Sequence, residues 1–533
     1  MTTILILGAG VMQMPGIRIA RRKGWRVVLV DGSPKAVARD LADRFACVDL
    51  KDRDGLLTFA RTVRGDSGLD GIFTAGTDFS SSVAWVAERL GLPGISFETA
   101  MRATDKCLMR EAFDVHGVPS PRFVCWTGDG DPSSRLRPGM GYPLVVKPVD
   151  NMGARGVRRV QDPTELADAC REAMDLSRSS RVIIEEYMEG PEFSLDAIVQ
   201  GGAVTVCGVA DRVIRFPPSF VEMGHTMPTS ADPETVRALE SVFRRGIAAI
   251  GIDNGAAKGD IKLTPKGPMV GEIAARLSGG YMSGWTFPLA SGVEVTEAAL
   301  NIAVGLPPGD LTPRRREVCA ERALISIPGV VEDVAGEREA AGVAGVAEVF
   351  LRVAPGDTVV FPSNNVQKCG NVLAVGHSLD EAQAAASRAL GMLQVRLRPL
   401  VAATSAHLLG PGGHPCFEEL GPRLTADIAA LPVYRGDPST IEPGSPVQVE
   451  ALPGSDDSAA KDWHGLGLPE SVRRACERGN AVQVPASGGR GFLLSGMFWK
   501  SLVKGGHQGA VYVLDSLQEA ARRGTVQEFL AGS

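Results

Sequence analysis

A lysine beside a glycine-rich segment gives the chain a pattern suited to phosphate binding. Lys147 ends the apolar run YPLVVK, and the segment DNMGARG, from Asp150 to Gly156, precedes a second run, VRRV. The backbone N–H groups of a flexible hairpin can close over phosphates while an ammonium neutralises their charge. The segment lacks the G-K-[ST] of a Walker loop. A surface hairpin that needs glycine for its turn is the alternative interpretation.

Two carboxylates on either side of a predicted turn form the second pattern. Asp260 and Glu272 flank the sequence TPKG, which predicts a hairpin, and Arg276 follows four residues after Glu272. Carboxylates on facing strands can share Mg²⁺, which prefers oxygen ligands and accompanies phosphates. An arginine beside the metal could stabilise charge on a transferring phosphoryl group or an acyl-phosphate oxyanion. The alternative is a surface charge pair, although the apolar neighbours of Glu272 argue against it.

The sequence EEYMEGPE interrupts an apolar strand with a polar segment. It runs from Glu185 to Glu192 and could offer backbone groups to an adenine edge and a carboxylate to ribose hydroxyls. On its own, a strand end with solvated acids explains the segment better.

A glycine pair near the start raises the question of dinucleotide binding. Gly8 and Gly10 follow a predicted strand and precede a helix, and Asp31 ends the next strand. Gln13 stands where the third glycine of that fingerprint belongs. Tight strand-to-helix turns need glycine whatever they bind, so a Rossmann oxidoreductase is a minor alternative that gives residues 147–276 no role.

The elements that position these residues change in type along the chain. Up to about residue 100, apolar strands alternate with helices, which predicts a parallel, doubly wound sheet. From about 103 to 318, strands follow one another through turns, which predicts α+β structure with antiparallel sheet. Residues 434–467 are rich in Pro, Gly, Ser and Asp and are predicted to be a linker or surface excursion.

Composition narrows the class of protein. The chain has 533 residues, 44% hydrophobic and 22% charged, with a formal charge of −6. This balance predicts a globular protein of several domains and argues against nucleic acid as a partner. Nine single cysteines without a C-x-x-C pair fit neither a disulfide framework nor structural zinc. Without a signal peptide pattern or an apolar run of membrane-spanning length, we expect a reduced, cytoplasmic protein with no membrane partner.

The order of these motifs resembles the ATP-grasp superfamily, in particular its carboxylate–amine ligase branch of biotin carboxylase-like and purine-biosynthetic ligases. The resemblance covers about residues 1–400 and is most specific over 103–286. It rests on ATDKCLMREAF, YPLVVKP, DNMGARGV, IIEEYMEGPEFSLD and GEIAARLSGG.

The resemblance implies a set of site residues. Arg276 would be catalytic, and Asp260 and Glu272 would bind Mg²⁺, or alternatively Mn²⁺. The implied ATP-binding residues are Lys106, Lys147, the lid residues Gly153, Ala154, Arg155 and Gly156, the adenine hinge Glu185, Glu186, Tyr187 and Met188, and the ribose ligand Glu192.

The substrate side is less closely matched. FVEMGHTMPTS resembles a segment of amino-acid ligases, so Glu222 and His225 would recognise an amine or carboxylate, near Gly279 and Gly280. Arg212 or Arg215 would touch phosphate. Ala274 departs from the pattern, because many members carry a third metal ligand, asparagine, there.

The resemblance also implies an architecture. We expect a multidomain α/β and α+β protein: a Rossmann-like pre-ATP-grasp domain (1–102), an ATP-grasp domain (103–318) with a lid at about 125–200, a small C-terminal α+β domain (319–400) and an additional region (401–533). The small domain is marked by Asn364, Asn365 and Gly370. Residues 401–533 match no pattern. Homodimers are common among such relatives.

The implied activity is ATP-dependent joining of a small-molecule carboxylate to an amine through an acyl phosphate, releasing ADP and phosphate. One alternative is a carboxylase that uses bicarbonate and shares every ATP residue. Another is a nucleotide-binding regulatory protein without turnover, which the Ala274 departure favours.

Overall fold

The chain divides into two compact units. The computed structural model describes residues 1–417, 419–456, 458–486 and 491–531. Unit 1 comprises Met1–Glu321 with Val375–Ala382, and unit 2 comprises Arg322–Ala374 with Gln383–Ser533. The four-part division expected from the sequence stays a prediction. No helix in the described ranges is long and apolar enough to cross a membrane.

Unit 1 begins with a parallel sheet. Its strands and helices are β1 (Thr3–Leu7), α1 (Met14–Arg22), β2 (Arg26–Asp31), β3 (Arg44–Cys47), α2 (Arg53–Ser67), β4 (Gly71–Phe73), α3 (Ser80–Leu90) and α4 (Phe97–Thr104). The strand order is β3-β2-β1-β4, and all three pairs are parallel. All five residues of β1 are buried because helices cover both faces, which explains its unbroken apolar run. The predicted doubly wound sheet is confirmed.

The next part of unit 1 holds two further sheets. Its elements are α5 (Lys106–His116), β5 (Phe123–Trp126), β6 (Leu144–Pro148), β7 (Arg158–Val160), α6 (Pro163–Leu176), β8 (Val182–Glu186), β9 (Glu192–Gln200), β10 (Ala203–Arg215), β11 (Val221–Met227), α7 (Pro233–Ile250), β12 (Gly255–Thr264), β13 (Gly267–Ala274), α8 (Phe287–Ser291), α9 (Val295–Ala303) and β14 (Val318–Leu324). The smaller sheet has the order β5-β8-β6-β7, and its pairs are antiparallel. The larger contains the series β13-β12-β9-β10-β11, also antiparallel.

Capping and packing explain these elements. The side chain of Asp105 accepts hydrogen bonds from the N–H groups of Cys107 and Leu108, so α5 begins at Lys106. Helix α7 packs Phe243 and Ile247 against one face of the larger sheet, where α5 adds Phe113. The polar residues of the site lie on the other face of this larger sheet.

One cysteine pair departs from the expectation of a fully reduced chain. Cys107 of α5 and Cys125 of β5 form a disulfide with a Cα–Cα distance of 6.1 Å. No spacing motif indicates this pair, because the two residues are 18 apart and meet only when the helix packs on the strand.

Unit 2 holds the rest of the chain. Its elements are β15 (Gly329–Ala335), α10 (Glu337–Ala341), β16 (Val346–Leu351), β17 (Thr358–Val359), β18 (Gly370–Gly376), α11 (Leu379–Met392), β19 (Gln394–Leu397), α12 (Ala402–Leu409), α13 (Pro422–Ala430), β20 (Tyr434–Arg435), β21 (Val447–Glu450), α14 (Leu468–Arg478), β22 (Ala481–Val484), β23 (Leu493–Leu494), α15 (Gly496–Arg523) and α16 (Val526–Ala531). The end of β18 and the start of α11, within Val375–Ala382, belong to unit 1. The core of unit 2 surrounds α15, which buries Phe498, Trp499 and Tyr512.

The predicted linker at 434–467 is wrong. Strand β21 lies in a four-stranded sheet of order β20-β23-β21-β22, and Val447 and Val449 are buried in the core of unit 2. The strand could not be recognised in the sequence because polar turns flank it and two buried valines are too few to show a strand period.

Candidate active site

Each of the two lysines predicted to bind phosphate lies beside a carboxylate carried by an antiparallel sheet. Lys147 on β6 places its Nζ 2.6 Å from Oε2 of Glu185 on β8. Lys106, at the start of α5, donates to the carbonyl of Asn151 at 2.9 Å and lies 3.4 Å from Oε1 of Glu272 on β13. The structure therefore brings both lysines to one cleft, where the glycine-rich segment begins.

Glu185 has a different environment from the one expected of a hinge residue. Its side chain is 1% exposed and pairs with both Lys147 and the guanidinium of Arg110, 2.7 Å away. Burial alone would raise the pKa of Glu185, but Arg110 and Lys147 outweigh it and lower the pKa. The carboxylate thus orients Lys147, and Glu186 to Met188 remain the residues predicted to contact adenine.

The rest of the hinge is surrounded by cations and aromatic rings. Glu186 pairs with Arg122 at 3.1 Å. The Tyr187 ring has the guanidinium of Arg159 4.4 Å from its centre, and the Met188 carbonyl accepts a 3.1 Å hydrogen bond from Lys262. Burial lowers the pKa of Lys262 despite the nearby Glu192.

The predicted lid is a hairpin loop between β6 and β7. Gly153, Ala154 and Gly156 all have positive φ, at 68°, 60° and 71°. A Cβ at Gly156 would come within 2.9 Å of both Leu176 and Pro148, so this turn requires glycine. Arg155 donates its Nε to the carbonyl of Met152 at 3.0 Å, which keeps the loop compact.

The predicted metal ligands are cross-strand neighbours. Asp260 on β12 pairs in register with Glu272 on β13, and a β-bulge follows Asp260. Burial would raise the pKa of Glu272, but Lys106, Lys258 and Arg276 hold it at about 2. Two carboxylates side by side fit one Mg²⁺ that also binds phosphate oxygens, because Mg²⁺ takes one or two protein carboxylates in such sites. Ala274, two residues on, adds no ligand.

Arg276 follows β13 and leads into a loop against the first sheet. Its Nη1 donates to the carbonyl of Leu277 at 3.0 Å, and Leu277 pairs with Ala75 in an isolated bridge. A Cβ at Gly76 would lie 3.3 Å from the Cα of Gly279. Gly279 and Gly280 therefore sit where the carboxyl end of β4 meets the cleft.

The two residues predicted to recognise substrate, Glu222 and His225, lie on the same strand, β11. Glu222 lies on β11 with its Oε2 3.0 Å from Arg212. His225, expected on a polar loop, is 1% exposed on the same strand, where its Nδ1 is 3.3 Å from Glu321 and its Nε2 is 2.7 Å from the hydroxyl of Thr286. The strand pairing with β10 turns His225 inward.

The early glycine pair does not form an open dinucleotide site. The side chain of Gln13 accepts from the N–H of Gly10 at 3.0 Å and donates to the carbonyl of Ala75 at 2.5 Å. Asp31 accepts from the N–H of Ala9 at 2.8 Å. Gln13 thus fills the space above the turn, which removes the basis for a Rossmann oxidoreductase.

Two residues at the site were missed by sequence reasoning. Arg110 lies one helical turn after Lys106, and that spacing could have placed both on the same face of α5. Asp196 on β9 accepts from the hydroxyls of Ser278 and Ser283, each at 2.6 Å, and so fixes the loop after Arg276. Asp196 is so far from both serines in the sequence that no motif indicated their contact.

Family models match three parts of the chain. Residues 17–94 match the ATP-grasp N-terminal domain, 140–284 the ATP-grasp domain, and 322–398 the L-amino acid ligase C-terminal domain 2. The chain thus contains an ATP-grasp domain and an ATP-grasp N-terminal domain, and the predicted resemblance is confirmed. Residues 322–398 are similar to a domain of L-amino acid ligases.

Individual relatives are distant. The chain is 26% identical over 390 residues to the uncharacterized protein y4rH of Sinorhizobium fredii, covering 72% of this chain and 80% of that one. It is 28% identical over 340 residues to human carnosine synthase 1, covering 59% of this chain and 41% of the synthase. The match thus spans about two-fifths of that synthase.

Solved structures share the fold. The L-amino acid ligase of Bacillus licheniformis superposes with a TM-score of 0.66 at 23% identity, covering 75% of this chain and 99% of that one. Phosphoribosylglycinamide synthetase of Anaerococcus prevotii gives 0.60 at 20% identity, covering 74% and 100%.

Proposed function

We propose that this ATP-grasp protein is a carboxylate–amine ligase that forms an amide or peptide bond through an acyl phosphate and releases ADP and phosphate. The observation that carries the proposal is Glu272, the register partner of Asp260, which lies 3.4 Å from Lys106 and whose pKa is lowered by the charges of Lys106, Arg276 and Lys147. Positioned cations and metal-binding carboxylates are what phosphoryl transfer requires.

In the first step, the γ-phosphoryl group of ATP moves in line to an oxygen of the substrate carboxylate. Lys106 and Lys147 hold the phosphates, the lid from Gly153 to Gly156 closes over them, and residues Glu186 to Met188 hold adenine. Mg²⁺, or Mn²⁺, held by Asp260 and Glu272, would neutralise phosphate charge. Exclusion of water by the lid protects the acyl phosphate from hydrolysis.

In the second step, the amine attacks the carbonyl carbon, the C–O bond to phosphate breaks and an amide forms. Arg276 stabilises the oxyanion of the tetrahedral intermediate. Glu222 recognises the amine, and the backbone of Gly279 and Gly280 lines the acyl group. The Glu192 carboxylate accepts from ribose hydroxyls.

An amino acid is the substrate class that the comparisons support. The domain match at 322–398 is to L-amino acid ligases, and carnosine synthase is named among the relatives. The protein would act on small molecules, as a cytoplasmic enzyme and as a homodimer.

Mg²⁺-dependent phosphate release from ATP, measured over a grid of carboxylates and amines, tests the proposal. We expect release that requires both an amino acid and an amine, with the amide detected by mass spectrometry. Release with bicarbonate as the sole carboxylate would establish a carboxylase instead, an activity suggested by structural neighbours that include biotin carboxylases. Tight ATP binding without release in any combination would establish the regulatory alternative, which Ala274 favours.

A further inference from the structure

Arg212 of β10 lies at the meeting point of three carboxylates that belong to different parts of the proposed site. Its Nη1 pairs with Glu192 and lies 3.0 Å from Oδ1 of Asp260. Its Nη2 lies 3.0 Å from Oε2 of Glu222, and its Nε lies 3.4 Å from Oε1 of the same residue. The side chain is only 9% exposed.

These contacts follow from the sheet. Strand β10 runs between β9, which carries Glu192, and β11, which carries Glu222, and β12 with Asp260 is the next strand beyond β9. A guanidinium has a planar fork of donors that can serve several carboxylates at once, and it stays charged when buried. An arginine on the central strand can therefore bind all three carboxylates at once. The single ammonium group of a lysine cannot.

Charge makes the arrangement interdependent. The guanidinium is the cation that all three carboxylates share, while Lys258 pairs with Asp260 and Lys262 lies 3.8 Å from Glu192. Without the guanidinium, the three carboxylates would lose their shared partner, and like charges close together in a partly buried place disfavour one another. This environment does not suit the phosphate contact that the sequence suggested for Arg212.

We propose that Arg212 is a positioning residue that sets the ribose carboxylate, one metal carboxylate and the amine-recognising carboxylate in a single arrangement. The inference rests on the proposed function, since it assigns those three roles to Glu192, Asp260 and Glu222. It predicts that binding of nucleotide, of metal and of the amine all depend on one side chain that touches none of them.

The test uses Arg212→Lys and Arg212→Gln in the full-length protein. The lysine variant keeps the positive charge but loses the fork, so we expect a folded protein whose Kd for ATP, half-saturating Mg²⁺ concentration and KM for the amine each rise about tenfold. Arg44→Gln is the matched control, because Arg44 forms an exposed pair with Asp66 at 2.9 Å on the first sheet.

If Arg212 only stabilised the fold, the kinetic and binding constants of the variants would change in a different way. Partial unfolding would lower kcat in proportion to the folded fraction and leave the Kd for ATP and the KM for the amine unchanged, and that result would overturn the inference. A rise in one of the three constants alone would also overturn it. Should Arg212→Gln fail to fold, the lysine variant still decides.

The failure of the proposed function remains distinguishable. Wild-type protein that binds no ATP by calorimetry, or binds it without turnover, contradicts the ligase. Wild-type protein that ligates while Arg212→Lys retains all three constants contradicts only the role of Arg212.

Discussion

At the scale of single residues, Arg276 is the group whose removal separates chemistry from binding. Its guanidinium follows the strand that carries Glu272 and faces the end of the first sheet, and it is one of the cations that hold the pKa of Glu272 at about 2. An interaction that forms only as charge develops lowers the barrier without changing ground-state affinity.

Arg276→Ala should lower the rate of ligation by about a hundredfold or more and leave the Kd for ATP within about tenfold. Single-turnover product formation and calorimetry measure the two quantities, with Arg44→Ala as control. A loss of ATP affinity beyond that range would make Arg276 a nucleotide ligand instead.

Lys147→Ala should act on binding. The ammonium sits 2.6 Å from Glu185 and at the entry to the lid, so its loss removes a charge from the phosphate site and we expect ATP affinity to fall at least about tenfold. Titration of a fluorescent ATP analogue measures this, with Lys35→Ala, an exposed lysine, as control. Unchanged affinity would contradict the assignment of Lys147 to phosphate.

Some of the contacts between site residues could be predicted from the sequence, and others could not. Asp260 and Glu272 were expected on facing strands because they flank the hairpin turn TPKG. The pairing of Glu185 with Arg110 was missed, since residues so far apart in the sequence become neighbours only in the folded chain. The inward turn of His225 was missed because FVEMGHTM reads as a polar loop, while its pairing with β10 makes it a strand.

At the scale of elements, the lid is the segment whose conformation matters most. The hairpin loop has three positive φ angles in four residues, and Gly156 has Leu176 and Pro148 packed against the position of a Cβ. A side chain there would push the loop away from the cleft.

Gly156→Ala should therefore uncouple the reaction. A lid that closes poorly admits water to the acyl phosphate, so we expect phosphate release to exceed amide formation, with a ratio above one and a fall in amide yield of about tenfold. Parallel assays of phosphate and amide measure the ratio, and Gly130→Ala, at an exposed loop position of φ 73° with open space around it, is the control. A ratio that stays at one would show that the lid tolerates the change.

The elements themselves were largely predictable, and their boundaries were less so. The apolar run of β1 and the hairpin around TPKG gave clear signals because each has a simple period or turn. Strand β21 was lost in a polar stretch, and the disulfide between α5 and β5 depends on tertiary packing that no local pattern reports.

At the scale of the whole molecule, the two units should differ in their response to acid. His407, His464 and His507 all lie in unit 2, and burial lowers the pKa of each, that of His507 well below its usual value. The unfolded chain binds protons at these sites near pH 6.5, whereas the folded unit resists them. The free energy of unfolding that the neutral histidines contribute to unit 2 is therefore present above about pH 6.5 and is lost as the pH falls below it.

Between pH 7 and pH 5.5, His507 alone should cost unit 2 about 1 kcal/mol of unfolding free energy. Hydrogen exchange, corrected for intrinsic rates, should show protection around α15 falling by this amount, and His507→Gln should reduce the fall. An identical pH slope in the variant would contradict the role of the buried imidazole.

The pairing of site cations with carboxylates has a consequence for how nucleotide enters. Lys106 and Lys147 each pair with a protein carboxylate in the structure, so the phosphates of ATP must displace those carboxylates before they can contact either ammonium. Binding of ATP therefore exchanges ion pairs: each lysine–carboxylate pair breaks as a lysine–phosphate pair forms. Its association rate with ATP should depend less steeply on salt than that of an uncompensated basic pocket, because the long-range field of the empty cleft is already cancelled.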